Sequence, residues 1–438
     1  MVIECVFSSG KHNRQRKYSN SGVRRTIVWS KDGSRNLEDR TRICGLTAPG
    51  NASKKRPVLL LSLRQSHRLV EYHLSRSAVA QQERSRPMPS IEIVDSGRID
   101  ERESAFPQAV QLPNGDILCS FNVGGGAHVT GGTDWARSTD GGRTWNVEGT
   151  ILPRVGNATN ALKLSISADG KTVYAYGSRS YREEGGRFGE GHNEPIFCTS
   201  TDGGRTWSEP TVVPMMGFSP LEISHGALAL QSGRLLAPGA TLESQDTLGR
   251  LVIAAVSDDG GQTWPRHTTV FEDPDGVHGY FEQKLAEVEP GLLISTCWTI
   301  VMDGVKDIDD HFTISRDDGL TWSRPKPTGT MGQTMTPIPL GGDRLLVLYN
   351  RRYGQQGVVM NLVTFTDDSW TIHHEGIMYD PNTSAERPDV ESGVETFSGF
   401  QFGFPTAIKL HDGTYLATHW SQEGGHFGIR WTLLRVDW

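Results

Sequence analysis

The 438-residue chain carries 44 Lys and Arg against 51 Asp and Glu, a formal net charge of −7, with 36% hydrophobic residues and 50 glycines. That is enough apolar material for one large core, and the glycine content suits a turn-rich β protein. Five scattered cysteines exclude a disulfide framework, and the apolar run PVLLLSL at 57–63 is too short to cross a bilayer.

Residues 1–87 differ from the rest, with 18 basic and 6 acidic side chains. They show no repeat and weak periodicity, so this basic extension is expected to be disordered, or to precede a true start at Met88. Neither Met1 nor Met88 begins a secretory signal, since no apolar stretch follows. The expectation is a cytoplasmic protein with no nucleic-acid and no membrane partner. The oligomeric state cannot be read from the sequence. Cys119, Cys198 and Cys297 fall in apolar strand runs and read as small buried hydrophobes.

From Met88 onward the chain repeats itself. IEIVDSGRI (91–99) reads as a strand without a hairpin partner. Six hairpin lines follow, each an apolar or alternating run, a glycine turn and a second run: 107–121, 160–179, 225–240, 283–298, 336–350 and 405–420. Four are succeeded by an octapeptide: STDGGRTW at 138–145 and 200–207, SDDGGQTW at 257–264, SRDDGLTW at 315–322. A damaged copy, TDDSW, occupies 366–370. The Asp-Gly and Gly-Gly steps favour tight turns, because glycine accepts positive φ, and the Asp can accept backbone N–H bonds. The closing Trp supplies an apolar anchor. A calcium loop would need alternating acidic ligands and a late Glu, which the octamers lack. Six units of short strands predict an all-β, six-bladed propeller over 88–438. The unpartnered strand 91–99 is predicted to join blade 6 and close the ring, leaving no open sheet edge.

The octamer S-x-D-x-G-x-T-W resembles the Asp-box, or BNR repeat, of sialidases and their relatives. The resemblance covers about residues 90–438. It implies a sialidase-like propeller with the octamers as scaffold between third and fourth strands, and a carbohydrate site on the axis. Residue by residue the sialidase signature is eroded. The blade 1 position of a substrate-clamping Arg holds Ala105-Phe106-Pro107, and Arg102 comes three residues early. The clamp position ending the second strand of blade 4 holds Cys297-Trp298. Arg351 and Arg352 fit the blade 5 clamp, and such a pair is hard to bury unpartnered, so one is expected in the pocket. The nucleophilic Tyr of the family corresponds to Gly403-Phe404-Pro405, and Phe404 has no hydroxyl. The blade 1 loop offers His128 where an acid/base Asp is expected, with Asp134 nearby. Glu282, in FEQKLAEVEPG, matches the family's catalytic Glu.

The candidate catalytic set is therefore Glu282, with Glu222, Glu243 or Asp303 as the second carboxylate that glycoside cleavage requires. A carboxyl near the axis beside aromatics should be partly desolvated and held towards its protonated form. Tyr280, Trp298, Tyr353 and Phe404 are candidate sugar-stacking rings, though Trp298 can equally serve blade packing. His225 joins His128 as a candidate hydrogen-bonding group. His225 and His278 lack a metal-ligand spacing, so no metal and no cofactor are expected. Three functions are open: a glycoside hydrolase of altered chemistry, a true exo-sialidase with substituted clamps, or a non-catalytic glycan-binding propeller.

Overall fold

A computed structural model describes residues 88–181, 192–242, 248–303, 306–386 and 399–438. The basic segment 1–87 and Glu243 lie outside the described residues. The fold is a six-bladed β-propeller, each blade an antiparallel sheet of four or five strands. The innermost strands are Ser104–Gln111, Ala158–Ile166, the split pair Leu221–Glu222 and Leu228–Ala229, His278–Glu289, Gln333–Gly341 and Phe402–Lys409. The predicted closure is present. Ser90–Asp100 is the outermost strand of blade 6 and pairs antiparallel with His426–Asp437, from Ser90 opposite Asp437 to Asp100 opposite Ile429.

The core is divided like the ring. Six apolar clusters each fill the space between one pair of neighbouring blades. Leu118, Leu162, Leu164 and Ile196, for example, join blades 1 and 2 and are fully buried. Each such side chain contributes roughly 1.5–3 kcal/mol through burial. Cys119, Cys198 and Cys297 are buried free thiols within these clusters.

The octamers act as rivets between blades. The Oδ1 of Asp202 accepts the Ser200 hydroxyl at 2.8 Å and the amides of Arg205 and Thr206 at 2.9 Å each; Oδ2 accepts the Thr206 hydroxyl at 2.6 Å. The Thr206 hydroxyl and these other donors hold the Asp202 carboxyl down at about 2. The glycine at the octamer's fifth position then touches the preceding blade. A Cβ on Gly204 would stand 2.7 Å from Leu118, and one on Gly261 2.4 Å from Phe197. Gly142 and Gly319 meet Leu416 and Leu236 in the same way. All four have φ between 79° and 89°, so both the turn and the contact need glycine there.

One irregularity recurs on the inner strands and sets the site. In blades 1, 4, 5 and 6 the register slips between Ala105 and Gln108, Phe281 and Lys284, Gln333 and Thr336, and Gly403 and Thr406. The first residue of each bulge has positive φ: Phe106 57°, Glu282 48°, Thr334 53° and Phe404 54°. Positive φ at a non-glycine residue is uncommon, and it clusters at functional positions when the surrounding sheet holds it. A bulge re-aims its side chain out of the regular alternation.

Candidate functional site

The four bulge residues meet in two pairs, Thr334 with Glu282 and Phe106 with Phe404, and approach segments from blades 2 and 3. The Thr334 hydroxyl donates to Oε2 of Glu282. The Glu282 amide donates to Oε2 of Glu222 at 2.9 Å, and the Ser224 hydroxyl donates to the other Glu222 oxygen. Phe106 stands edge-on to Phe404, ring centroids 5.4 Å apart. Beneath them lie two buried lysines. Lys284 donates to the Ser224 carbonyl and places its Nζ 3.3 Å from the Phe404 ring centroid. Lys163 donates to the Ile223 carbonyl at 2.7 Å, its Nζ 5.6 Å from the same centroid.

Burial dominates the electrostatics here. It pushes the Glu282 carboxyl up, opposed by the Thr334 hydroxyl, reinforced by the Glu222 charge, and opposed again by Arg352 and Lys284. It drives Lys284 well below the usual ammonium range, with Lys163 adding repulsion, and brings Lys163 down to about 8. His225 falls to about 3, through burial and then the Lys284 charge. Asp310 is raised well above the usual carboxylate range by burial and by Asp307. The cluster thus combines a carboxyl held towards its protonated form with a second carboxyl, Glu222, whose two oxygens both accept hydrogen bonds.

The structure gathers Glu282, Glu222, Arg352, Phe404 and His225 around this centre and places the other candidates elsewhere. Arg352 is buried. Its Nε donates to Oε1 of Gln333 at 2.7 Å, its Nη1 to the Phe402 carbonyl at 2.8 Å, and the guanidinium lies 3.8 Å from the Phe400 ring centroid. Burial lowers it to about 9. Arg351 turns away, to the Gln355 carbonyl at 2.7 Å and Glu375 at 3.0 Å. Tyr280 is 1% exposed and packs between Phe271 and His311. Trp298 is 3% exposed, packs on Phe281 and donates to Asp307 at 3.0 Å, while the Tyr353 hydroxyl donates to the other Asp307 oxygen at 2.5 Å. His225 bonds the Gly226 carbonyl through Nδ1 at 2.6 Å. His128 is exposed at the end of a short 3-10 turn, and Asp303 is exposed in the turn after the strand Leu292–Val301. Asp134 pairs with Arg102, which also holds Asp100.

Sequence reasoning missed Lys163, Lys284, Thr334, Phe106 and Asp310. The lysines left one signal: each is an isolated ammonium in an inner-strand run, NALKLSI and FEQKLAEV, where a solvated face is not available. Among the described residues no group of His, Cys, Asp and Glu is arranged to hold a metal ion, and no helix is long and apolar enough to cross a membrane.

The BNR repeat-like domain family matches residues 185–415, just over half of the chain. A sialidase from Micromonospora viridifaciens is 25% identical over 280 residues, covering 56% of this chain and 41% of the relative. The chain therefore spans about two fifths of that relative's length. A Dyadobacter fermentans protein of unknown function superposes with a TM-score of 0.64 at 19% identity, covering 80% of this chain and all of that one. An α-L-arabinanase of Penicillium chrysogenum, complexed with arabinobiose, superposes with a TM-score of 0.55 at 14% identity, covering 79% and 98%. Both share the fold.

Proposed function

The chain belongs to the BNR repeat-like domain family, a sialidase-like propeller, and from that membership we propose that it is a glycoside hydrolase acting on a neutral glycan at the propeller axis. The observation that carries the reading is the Glu282–Glu222 pair, joined by the 2.9 Å bond from the Glu282 amide. Desolvation favours the protonated form of Glu282, which makes it the proton donor to a leaving oxygen. Glu222, accepting from Ser224 and from the Glu282 amide, is the carboxylate that acts as base or nucleophile. The curated relative is a sialidase and one solved neighbour holds arabinobiose, which supports a carbohydrate as the ligand.

A neutral sugar is favoured over a sialoside by the arginines. Among the described residues, Arg351 is engaged with Glu375 and Arg352 is packed against Phe400, so no three-guanidinium clamp for a carboxylate is assembled. A panel of neutral and acidic glycosides, scored for both binding and release with Glu282→Gln as control, tests the proposal. Release of a neutral sugar that stops in Glu282→Gln supports it. Binding without release favours the second reading, a glycan-binding propeller, which the Phe404 ring at the family's nucleophile position also suits.

A further inference from the structure

Two ammonium groups lie under the carboxyl pair, and nothing in a scaffold requires them there. Lys163 and Lys284 are 4% and 0% exposed, and burying a charge is costly unless it is paired and hydrogen-bonded. Both reach across a blade boundary. Lys163 comes from blade 2 and Lys284 from blade 4, and they converge on successive carbonyls of blade 3, those of Ile223 and Ser224. These carbonyls flank the point where the inner strand of blade 3 breaks, between Leu221–Glu222 and Leu228–Ala229. Glu222 is the last residue paired before the break, opposite Ala240, and its side chain accepts from the Glu282 amide. A ring face from blade 6, Phe404, completes the lysine environment with cation–π contacts at 3.3 and 5.6 Å.

We infer that Lys284 and Lys163 are positioning residues for the Glu222–Glu282 pair, clamping the Ile223–Ser224 bend and, whenever either carries its proton, favouring the ionised form of a carboxyl beside it. The inference rests on the proposed role of that pair. Among the described residues, the charged or titratable groups that act on the lysines or are acted on by them are Glu222 and His225 from blade 3, Glu282 from blade 4, and each lysine for the other. Arg352 from blade 5 favours the ionised form of Glu282, and the Glu282 charge in turn raises Asp310 of blade 4. Phe404 then takes a definite part. Where the resemblance leads one to expect a hydroxyl nucleophile, this chain has a bare ring that holds a cation. Two carboxyls, two lysines and a ring form one assembly drawn from blades 2, 3, 4 and 6.

The test is a carboxyl titration of the full chain labelled with 13C at glutamate Cδ, with Glu282 assigned by Glu282→Gln. Removing a positive charge leaves less to favour ionisation, so the Glu282 midpoint should rise by about one pH unit or more in Lys284→Met and in Lys163→Met. Lys284→Arg should restore the wild-type value. A folded Lys284→Met or Lys163→Met whose midpoint equals that of the wild type would overturn the inference. If neither variant folds, wild-type protein labelled at lysine Cε decides. A Lys284 resonance that steps at the Glu282 midpoint supports the coupling, and one that stays flat across it refutes it. The readout needs no substrate, so a shifted midpoint in a protein that cleaves no glycan would retire the hydrolase and keep the clamp.

Discussion

Acid should destabilise this propeller, and His419 in blade 6 makes the effect measurable. Its ring is 1% exposed, rests 5.0 Å from Tyr379 by ring centroids, and finds no hydrogen-bond partner at either nitrogen among the described residues. Burial, assisted by the Arg430 charge, lowers it from 6.5 to about 3. Between those values the unfolded chain binds a proton that the folded chain refuses, so stability is full above pH 6.5 and is lost as the pH falls. At pH 5 the gap is one and a half units, and at 1.36 kcal/mol per unit the loss is about 2 kcal/mol; by pH 3 it approaches about 5 kcal/mol. His419→Leu removes the proton acceptor while keeping an apolar group against Tyr379. Urea unfolding at pH 7 and pH 5 should show a fall in stability smaller in the variant by about 2 kcal/mol. Equal falls in the two proteins would mean that His419 titrates normally, through a partner or water the geometry does not provide. His225 and His311, lowered to about 3 and about 4, should leave a residual acid sensitivity in the variant.

Glu282→Gln should keep the fold and ligand binding while turnover of a cleaved glycan falls by at least about a hundredfold, the lower range for general acid–base catalysis; single-turnover rates and melting curves check both halves. Asp202→Ala removes an acceptor of four hydrogen bonds from an octamer turn and should cost about 1–2 kcal/mol, as capping losses do, with kcat/KM unchanged because the turn lies away from the Glu282 cluster; a selective loss of kcat/KM would show that the octamers take part in chemistry. A fluorogenic sialoside should be released little or not at all, since each missing charge-assisted bond forfeits about 1.5–3 kcal/mol of recognition; robust turnover would show that Arg352 and its surroundings rearrange into a clamp.

The ring, its closure by residues 91–99 and the octamer turns were legible because they rest on local chemistry: glycine steps, period-two runs and an Asp that caps its own turn. The site was legible only in part, because a bulge breaks that periodicity. Alternation would set Tyr280, Glu282 and Lys284 on one face. The slip between Phe281 and Lys284 instead leaves Tyr280 between Phe271 and His311 while Glu282 meets Glu222. Positive φ at Glu282 and Thr334 has no signature in side-chain type, and neither residue is a glycine that would advertise it. In the sequence Trp298 is equally a packing residue and a candidate sugar-stacking ring, with Tyr353 a further candidate; both hydrogen-bond Asp307, a partner that sequence order does not reveal. The two arginines are adjacent in sequence and point apart, one to Glu375 and one to Gln333, as neighbouring residues of an extended chain tend to do.

The closing strand has a mechanical meaning. Ser90 lies opposite Asp437, and the pairing runs inward from there to Asp100 and Ile429, so both ends of the sheet leave the ring at one corner. Tension applied between residues 90 and 437 would load the ladder one rung at a time, peeling it open at low force, not shearing all of its bonds together. A chain rejoined at that corner and cut in another blade would retain the rungs and lose the weak seam.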